Sequence, residues 1–153
     1  MPDDNKDDVP SFHGISTHAV DESRRVMIPA DWRPKDLSVA FMVLAWPIGA
    51  KEYLLVLPPE TWRARLEKMK GNSLMDTRVA TLERVLGSNS APLTLDGVGR
   101  FRLPDHLAKS VGIEKKAQFV GRVDKFEIWD PKRYEKSQAQ DEAVALQVAM
   151  QLL

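Results

Sequence analysis

Apolar and polar positions along this chain follow two short programmes that occur twice. Thr17 and Ala19 alternate with His18 and Val20 up to Asp21–Arg24, and Val26 and Ile28 share a face beyond it, so two short strands flank a turn. Pro29 lacks the N–H a ladder needs and ends the second strand, and a helical turn over Ala30–Arg33 is cut by Pro34. Val39–Ala45 and Tyr53–Leu57 read as strands joined through Trp46-Pro47-Ile48-Gly49, and Pro59 opens a helix as a first-turn proline. Later, Leu93 and Leu95 precede a turn, Phe101 and Leu103 follow it, and a helix over Pro104–Val111 closes at Gly112. Ala117–Gly121 and Lys125–Trp129 supply two further strands. Helical stripes lie between and after these units. Trp62, Leu66 and Met69 form one; Met75, Val79, Leu82 and Leu86 form another, with Ser73 and Asp76 at capping-box spacing and Gly87 as C-cap. The stretch 71–74 reads as the turn between them. A last helix continues past Tyr134 through Val144, Val148 and Leu152, its apolar end Ala143–Leu153 being an oligomer contact or a frayed tail.

The recurrence is also one of residues. Asp21-Glu-Ser-Arg-Arg25-Val-Met-Ile28-Pro29 returns as Asp96-Gly-Val-Gly-Arg100-Phe-Arg-Leu103-Pro104, a D-x-x-x-R-x-x-[IL]-P pattern at an offset of 75. Leu54–Trp62 aligns with Phe126–Tyr134 at an offset of 72. The chain therefore divides into an acidic tail (1–11) read as disordered, a first unit (12–62), a helical connector (63–89), a second unit (90–134) and a C-terminal helix or tail (135–153). Units of about 50 residues are too small for a good core alone and are expected to fold against one another.

Composition narrows the classes. The 153 residues are 43% hydrophobic and 29% charged, which suits a soluble globular protein and excludes wholesale disorder. No apolar run reaches the roughly 18–20 residues of a membrane span, and no apolar h-region follows the acidic N-terminus, so neither membrane insertion nor secretion is expected. The absence of cysteine excludes disulfides, a thiol nucleophile and thiolate zinc. The formal net charge of zero argues at first against nucleic acid as partner. Its distribution reverses that reading. Residues 1–10 carry −3 and 135–153 carry −2, leaving 20 basic and 15 acidic residues in 11–134, a body of +5.

The repeated turn is where charge meets geometry. Strand alternation turns Arg100 and Arg102 away from the core that Phe101 and Leu103 occupy, and Arg25 likewise faces away from Val26 and Ile28. Arg24 adds a charge in the first turn. A two-stranded ribbon fits the major groove of B-DNA, and guanidinium suits bidentate contact with phosphate or guanine. Asp21 and Asp96 can bond turn amides and orient the arginine four positions on. A single such Asp/Arg pair would read as an ordinary surface ion pair; two copies favour a function.

Phe12-x-Gly14, the D-x-x-x-R-x-x-[IL]-P block, an aliphatic strand ending L-x-P, the Trp62 helix, Arg84-Val-Leu-Gly-Ser88, Asp96-Gly-x-Gly-Arg100 and Lys125-Phe-Glu-Ile-Trp129-Asp130 together resemble the MraZ family. The resemblance covers about residues 12–134 and is more specific in the second half. It implies a mixed α+β, β-rich fold: two tandem AbrB-like swapped-hairpin β-barrel units with a central helical hairpin and a C-terminal helix, assembled into a ring of identical chains. It implies a bacterial, cytoplasmic and nucleoid-associated transcriptional regulator. Such a regulator binds double-stranded DNA at promoter direct repeats upstream of the division and cell-wall gene cluster, mostly as a repressor. The DNA-contacting arginines carry over to Arg25 and Arg100. Arg24, Arg102, Arg33 and Lys35 are further candidates for phosphate contact, with Asp21, Asp96, Gly97 and Gly99 shaping the turns. The family has glycine before the motif arginine, as at Gly99, where the first copy has Arg24. If that position needs φ > 0, Arg24 costs about 1 kcal/mol relative to glycine, so either the first turn differs or an extra phosphate contact offsets the strain.

Two other classes are weighed. His13, His18 and His106 form no H-x-x-x-H or H-E-x-x-H pattern, and Asp96-Gly-x-Gly sits in a hairpin rather than before a long helix, so neither an enzyme, a cofactor, a metal nor a small-molecule substrate is expected. The alternative is an oligomeric AbrB-like interaction module, antitoxin-like, using its apolar C-terminal segment or Trp46, Trp62 and Trp129 on a protein partner. Two complete units, each exposing the motif arginine, favour DNA.

Overall fold

A computed structural model describes residues 10–71 and 75–153. The strands are β1 (Ile15–Ala19), β2 (Arg25–Met27), β3 (Phe41–Trp46), β4 (Tyr53–Leu57), β5 (Ser90–Leu93), β6 (Arg100–Arg102), β7 (Lys116–Gly121) and β8 (Phe126–Trp129). The helices are α1 (Pro59–Lys70), α2 (Thr77–Ser88), α3 (Asp105–Ser110) and α4 (Pro131–Leu152), with a 3₁₀ turn at Ala30–Trp32. The fold is mixed α+β, dominated by an antiparallel six-stranded sheet in the order β1-β7-β8-β4-β3-β5, with β2 and β6 forming a separate two-stranded ribbon.

The two repeats do not lie side by side. β1 of the first pairs with β7 of the second, β5 of the second pairs with β3 of the first, and β4 pairs with β8. The pairing obeys an approximate two-fold. In the ribbon Val26 opposes Phe101, which is its own counterpart 75 residues on, and in the sheet Leu55 opposes Glu127, its counterpart 72 residues on.

The core fills the space between the inner face of the sheet and the ribbon. Val26, Ile28, Phe101, Leu103 and Leu107 from the ribbon side meet Leu54, Val56, Phe119, Phe126 and Ile128 from the sheet, each at most 1% exposed. Phe12 reaches this core from the N-terminal segment, with its ring 5.6 Å from Trp32 and 5.0 Å from Phe126. The backbone at Phe12 and His13 passes so close to Gly121 that any β-carbon there would fall onto the Phe12 carbonyl. Burying side chains of this size stabilises by about 1.5–3 kcal/mol each. The opposite face of the sheet carries a smaller cluster of Leu44, Leu55 and Leu57, partly roofed by Trp62 of α1 and Leu86 of α2. Burial on both faces explains why β4 reads as an unbroken apolar run rather than an alternating strand.

Several boundaries differ from expectation. Val39 lies in a turn, its N–H donating to the Asp36 carbonyl at 3.2 Å, and β3 begins at Phe41. Asp76 caps α2, accepting from the Arg78 N–H at 2.9 Å, and Met75 precedes the helix, exposed. Ser73 falls outside the described residues. Gly87 does not end α2, which runs to Ser88 before Asn89, whose side chain donates to the Val85 carbonyl at 2.9 Å and satisfies a helix-end acceptor. The tail expected over 1–11 is described only at residues 10 and 11.

Candidate nucleic-acid interface

The two D-x-x-x-R turns are built alike, atom for atom. In the first, Asp21 Oδ1 accepts from the N–H of Ser23 at 2.9 Å and of Arg25 at 2.8 Å, and Oδ2 accepts from Arg25 Nε at 2.9 Å. In the second, Asp96 Oδ1 accepts from the N–H of Val98 at 3.0 Å and of Arg100 at 2.9 Å, and Oδ2 accepts from Arg100 Nε at 2.7 Å. Hydrogen bonds from the backbone, led by that of Arg25 in one turn and Arg100 in the other, hold both carboxyls below the ordinary aspartate range. The carboxylates therefore stay ionised at neutral pH and fix both the turn and the guanidinium.

Only the Nε of each motif arginine is so engaged. Both terminal nitrogens of Arg25 and of Arg100 lack a partner among the described residues, and the side chains are 42% and 33% exposed. Each is thus an aimed guanidinium with its outer fork open, the geometry that takes a carboxylate, phosphate or guanine edge.

The ribbon brings the two motifs onto one surface. Arg25 lies directly across from Arg102, and Met27 across from Arg100, while Val26 and Phe101 between them point into the core. Three guanidinium groups therefore share the four-residue outward face of the ribbon, and Arg102 is exposed with no ion pair among the described residues. Like charges directly opposed in a ladder cost stability, so folding alone gives no reason for the Arg25–Arg102 pair. Alternation along the chain assigns each arginine to an outer face. It does not disclose that the two faces are one, nor that Met27 belongs to it.

The other candidates are placed differently. Arg24 adopts φ 65°, matching Gly99 at φ 89°, so the first turn has the same backbone as the second. Its guanidinium turns inward between the two ends of the second repeat's helix: Nη1 donates to the carbonyl of Ile113, just past α3, at 3.0 Å and Nε pairs with Asp105, the first residue of α3, at 3.2 Å. The contacts that offset its strain are thus made within the chain. Arg33 is also drawn in. It donates to the Ile28 carbonyl at 3.3 Å and lies across Gly99, where a β-carbon would sit 2.7 Å from its Nε. Arg33, after burial, is the second influence lowering the His18 pKa. Lys35 is exposed on the loop after the 3₁₀ turn, at a cleft of about 500 Å³ that it lines together with Arg33 and Asp36. Gly97 has ordinary φ and open space about it, so its turn does not require glycine.

Among the described residues no group of three or more His, Cys, Asp or Glu is arranged to hold a metal ion, and no helix is long and apolar enough to cross a membrane.

Comparison with known proteins bears on this surface. The family model described as "MraZ protein, putative antitoxin-like" matches residues 88–151. Proteins curated as "Transcriptional regulator MraZ" align over most of the chain. That of Ruegeria sp. is 32% identical over 82% of this chain and 80% of its own length. The Mesoplasma florum protein is 30% identical over 83% and 85%, and that of Nitrosospira multiformis 28% over 80% and 84%. With identity of 30% or more spread across both repeats, the chain belongs to the MraZ family.

Proposed function

We propose that this chain is a DNA-binding transcriptional regulator whose β2–β6 ribbon is the contact surface. The observation that carries the reading is the pair of Nε-anchored guanidinium groups, Arg25 and Arg100, with open forks on one ribbon face beside Arg102. A ribbon can enter the major groove, and paired aspartates hold its arginines ready, which reduces the side-chain entropy lost on binding. Arg25, Arg100 and Arg102 make the DNA contacts in this reading, Lys35 adds a peripheral phosphate contact, and Asp21 and Asp96 position the motif arginines. Arg24 and Arg33 act here as braces of the ribbon.

The two repeats, 12–62 and 90–134, act as one swapped-hairpin AbrB-like unit per chain. In a closed ring of identical chains each ribbon binds weakly, and repeated promoter sites are held by avidity. This suits a body of only +5 and a repressor of the cell-wall and division cluster, working in the bacterial cytoplasm at the nucleoid.

A mobility shift on DNA directly upstream of this protein's own gene, with scrambled repeats as control, tests the reading. Arg25→Ala and Arg100→Ala should each weaken binding by about 1–3 kcal/mol, roughly 5- to 150-fold, with native mass unchanged. Unaltered affinity in both variants and in the double variant would overturn it. Affinity should fall steeply with salt as neutralised phosphates release counterions, whereas a flat response would point to a protein partner.

A further inference from the structure

The approximate two-fold that relates the repeats fails at one place on the outward face of the ribbon. The four residues of that face are Arg25 and Met27 from β2 and Arg100 and Arg102 from β6, with Arg25 across from Arg102 and Met27 across from Arg100. The offset of 75 makes Arg25 the counterpart of Arg100 and Met27 the counterpart of Arg102. The motif arginines thus occupy diagonal corners and are anchored alike. The other diagonal has a thioether at one corner and a guanidinium at the other. Met27 is half-buried yet belongs to neither apolar cluster among the described residues, and Arg102 is exposed. The core uses neither side chain, and the juxtaposition of Arg25 with Arg102 works against the ladder.

Symmetry decides what such a face can read. A binding surface with a strict two-fold is matched by a palindromic element, on which its two directions are equivalent. Breaking the two-fold at one pair makes the two directions unequal. Because β2 and β6 run antiparallel, the first turn lies at the Arg25 end of the ribbon and the second at the Arg100 end. At the Arg100 end an open guanidinium fork stands beside an apolar, polarizable side chain. At the Arg25 end two guanidinium groups stand side by side. In the major groove the apolar partner is a thymine methyl, and the partner of a guanidinium is guanine or a phosphate.

We propose that Met27 and Arg102 give the ribbon a direction on DNA. Met27 packs on a thymine methyl beside the base that Arg100 contacts, while Arg25 and Arg102 together hold the other end. Each ribbon then lies one way round, and the element it recognises is directional rather than palindromic. The proposal rests on the DNA reading and adds a polarity to it.

The probe is the DNA directly upstream of this protein's own gene. Replacing its thymines by deoxyuridine removes only methyl groups and should weaken binding about fourfold for each methyl contacted, the contribution of one buried carbon. Met27→Arg should reduce that response. Ser23 and Val98 are the matching exposed tips of the two turns, at opposite ends of the ribbon, and the chain has no cysteine. An iron chelate carried on Ser23→Cys should therefore cut one flank of each element, and one on Val98→Cys the other. Met27→Arg and Arg102→Met restore the two-fold from opposite directions, and each should bring equal cutting on both flanks. Arginine-dependent binding with a uracil response that Met27→Arg leaves unchanged, or with both flanks cut by the native face, overturns the polarity and leaves the DNA reading standing. No binding, or binding indifferent to the Arg25→Ala, Arg100→Ala double variant, overturns both.

Discussion

The two turns reach one conformation by different means. The second places Gly99 at φ 89°, where glycine is at ease, and lays the Arg33 side chain over the vacant β-carbon position. The first places Arg24 at φ 65°, which costs an L-residue about 1–2 kcal/mol, and recovers part of it through the Ile113 carbonyl and Asp105. In both, the backbone carbonyl of that residue accepts across the ribbon: Arg24 from the Leu103 N–H at 2.9 Å, Gly99 from the Ile28 N–H at 3.1 Å. The cross-ribbon bond therefore demands the left-handed residue, and side-chain chemistry only determines how it is tolerated. Each brace crosses to the other repeat, Arg24 reaching α3 and Arg33 reaching the second turn, so neither hairpin is held by its own half alone.

Substitutions at matched positions test how far this equivalence goes. Phe101→Ala should cost about 3–5 kcal/mol in urea unfolding, against about 1–3 kcal/mol for Val26→Ala, because the two-fold position is filled mainly from one side. Equal losses would mean that both halves contribute alike. Gly99→Ala should cost about 2 kcal/mol from positive φ plus displacement of Arg33. Arg24→Gly relieves the strain but loses a charged hydrogen bond and an ion pair, for a net loss of about 1 kcal/mol. A net gain would show the brace to be idle. Asp105→Asn should cost a few tenths of a kcal/mol and lose even that in high salt, because Asp105 is 71% exposed.

pH affects the two turns alike and least of all near neutrality. Both aspartates have folded-state pKa values below the unfolded value of about 3.9. Their stabilisation is fully present above that value and is lost as pH falls through the lower folded values. Unfolding free energy should thus show no contribution from Asp21 or Asp96 to any change between pH 6 and 8. An Asp21→Asn, Asp96→Asn variant should lose the acid limb that these two residues contribute.

The turns themselves were readable along the chain, since D-x-x-x-R places a carboxylate within reach of two amides and a guanidinium by local geometry alone. Alternation likewise placed Val26, Ile28, Phe101 and Leu103 inside and Arg25, Arg100 and Arg102 outside, and the structure agrees. What periodicity cannot carry is partnership. β2 and β6 are three residues each, and a strand that short has a face but no signature of its mate. The fate of Arg24 was hidden for the same reason, since its partners lie 81 and 89 residues away. Glu127 is a parallel case. Its carboxylate accepts from Trp129 Nε1 at 2.7 Å and Arg122 Nη1 at 3.0 Å at the mid-point of the sheet, opposite Leu55. Burial, followed by the Glu127 charge, pushes the adjacent Tyr53 hydroxyl up to about 12. A charge buried in an apolar strand makes sense only once its neighbours are known.

The pairing of β2 with β6 has a consequence in time. A ribosome releases Arg25 some 75 residues before Arg100, and until then the strand that bears it has no partner. Loop closure over such a separation comes late in folding, after local hairpins such as β3–β4 have formed. The surface proposed for DNA is therefore absent from a nascent or truncated first half. It comes into being only when translation has delivered the second, so no half-made chain competes for the site.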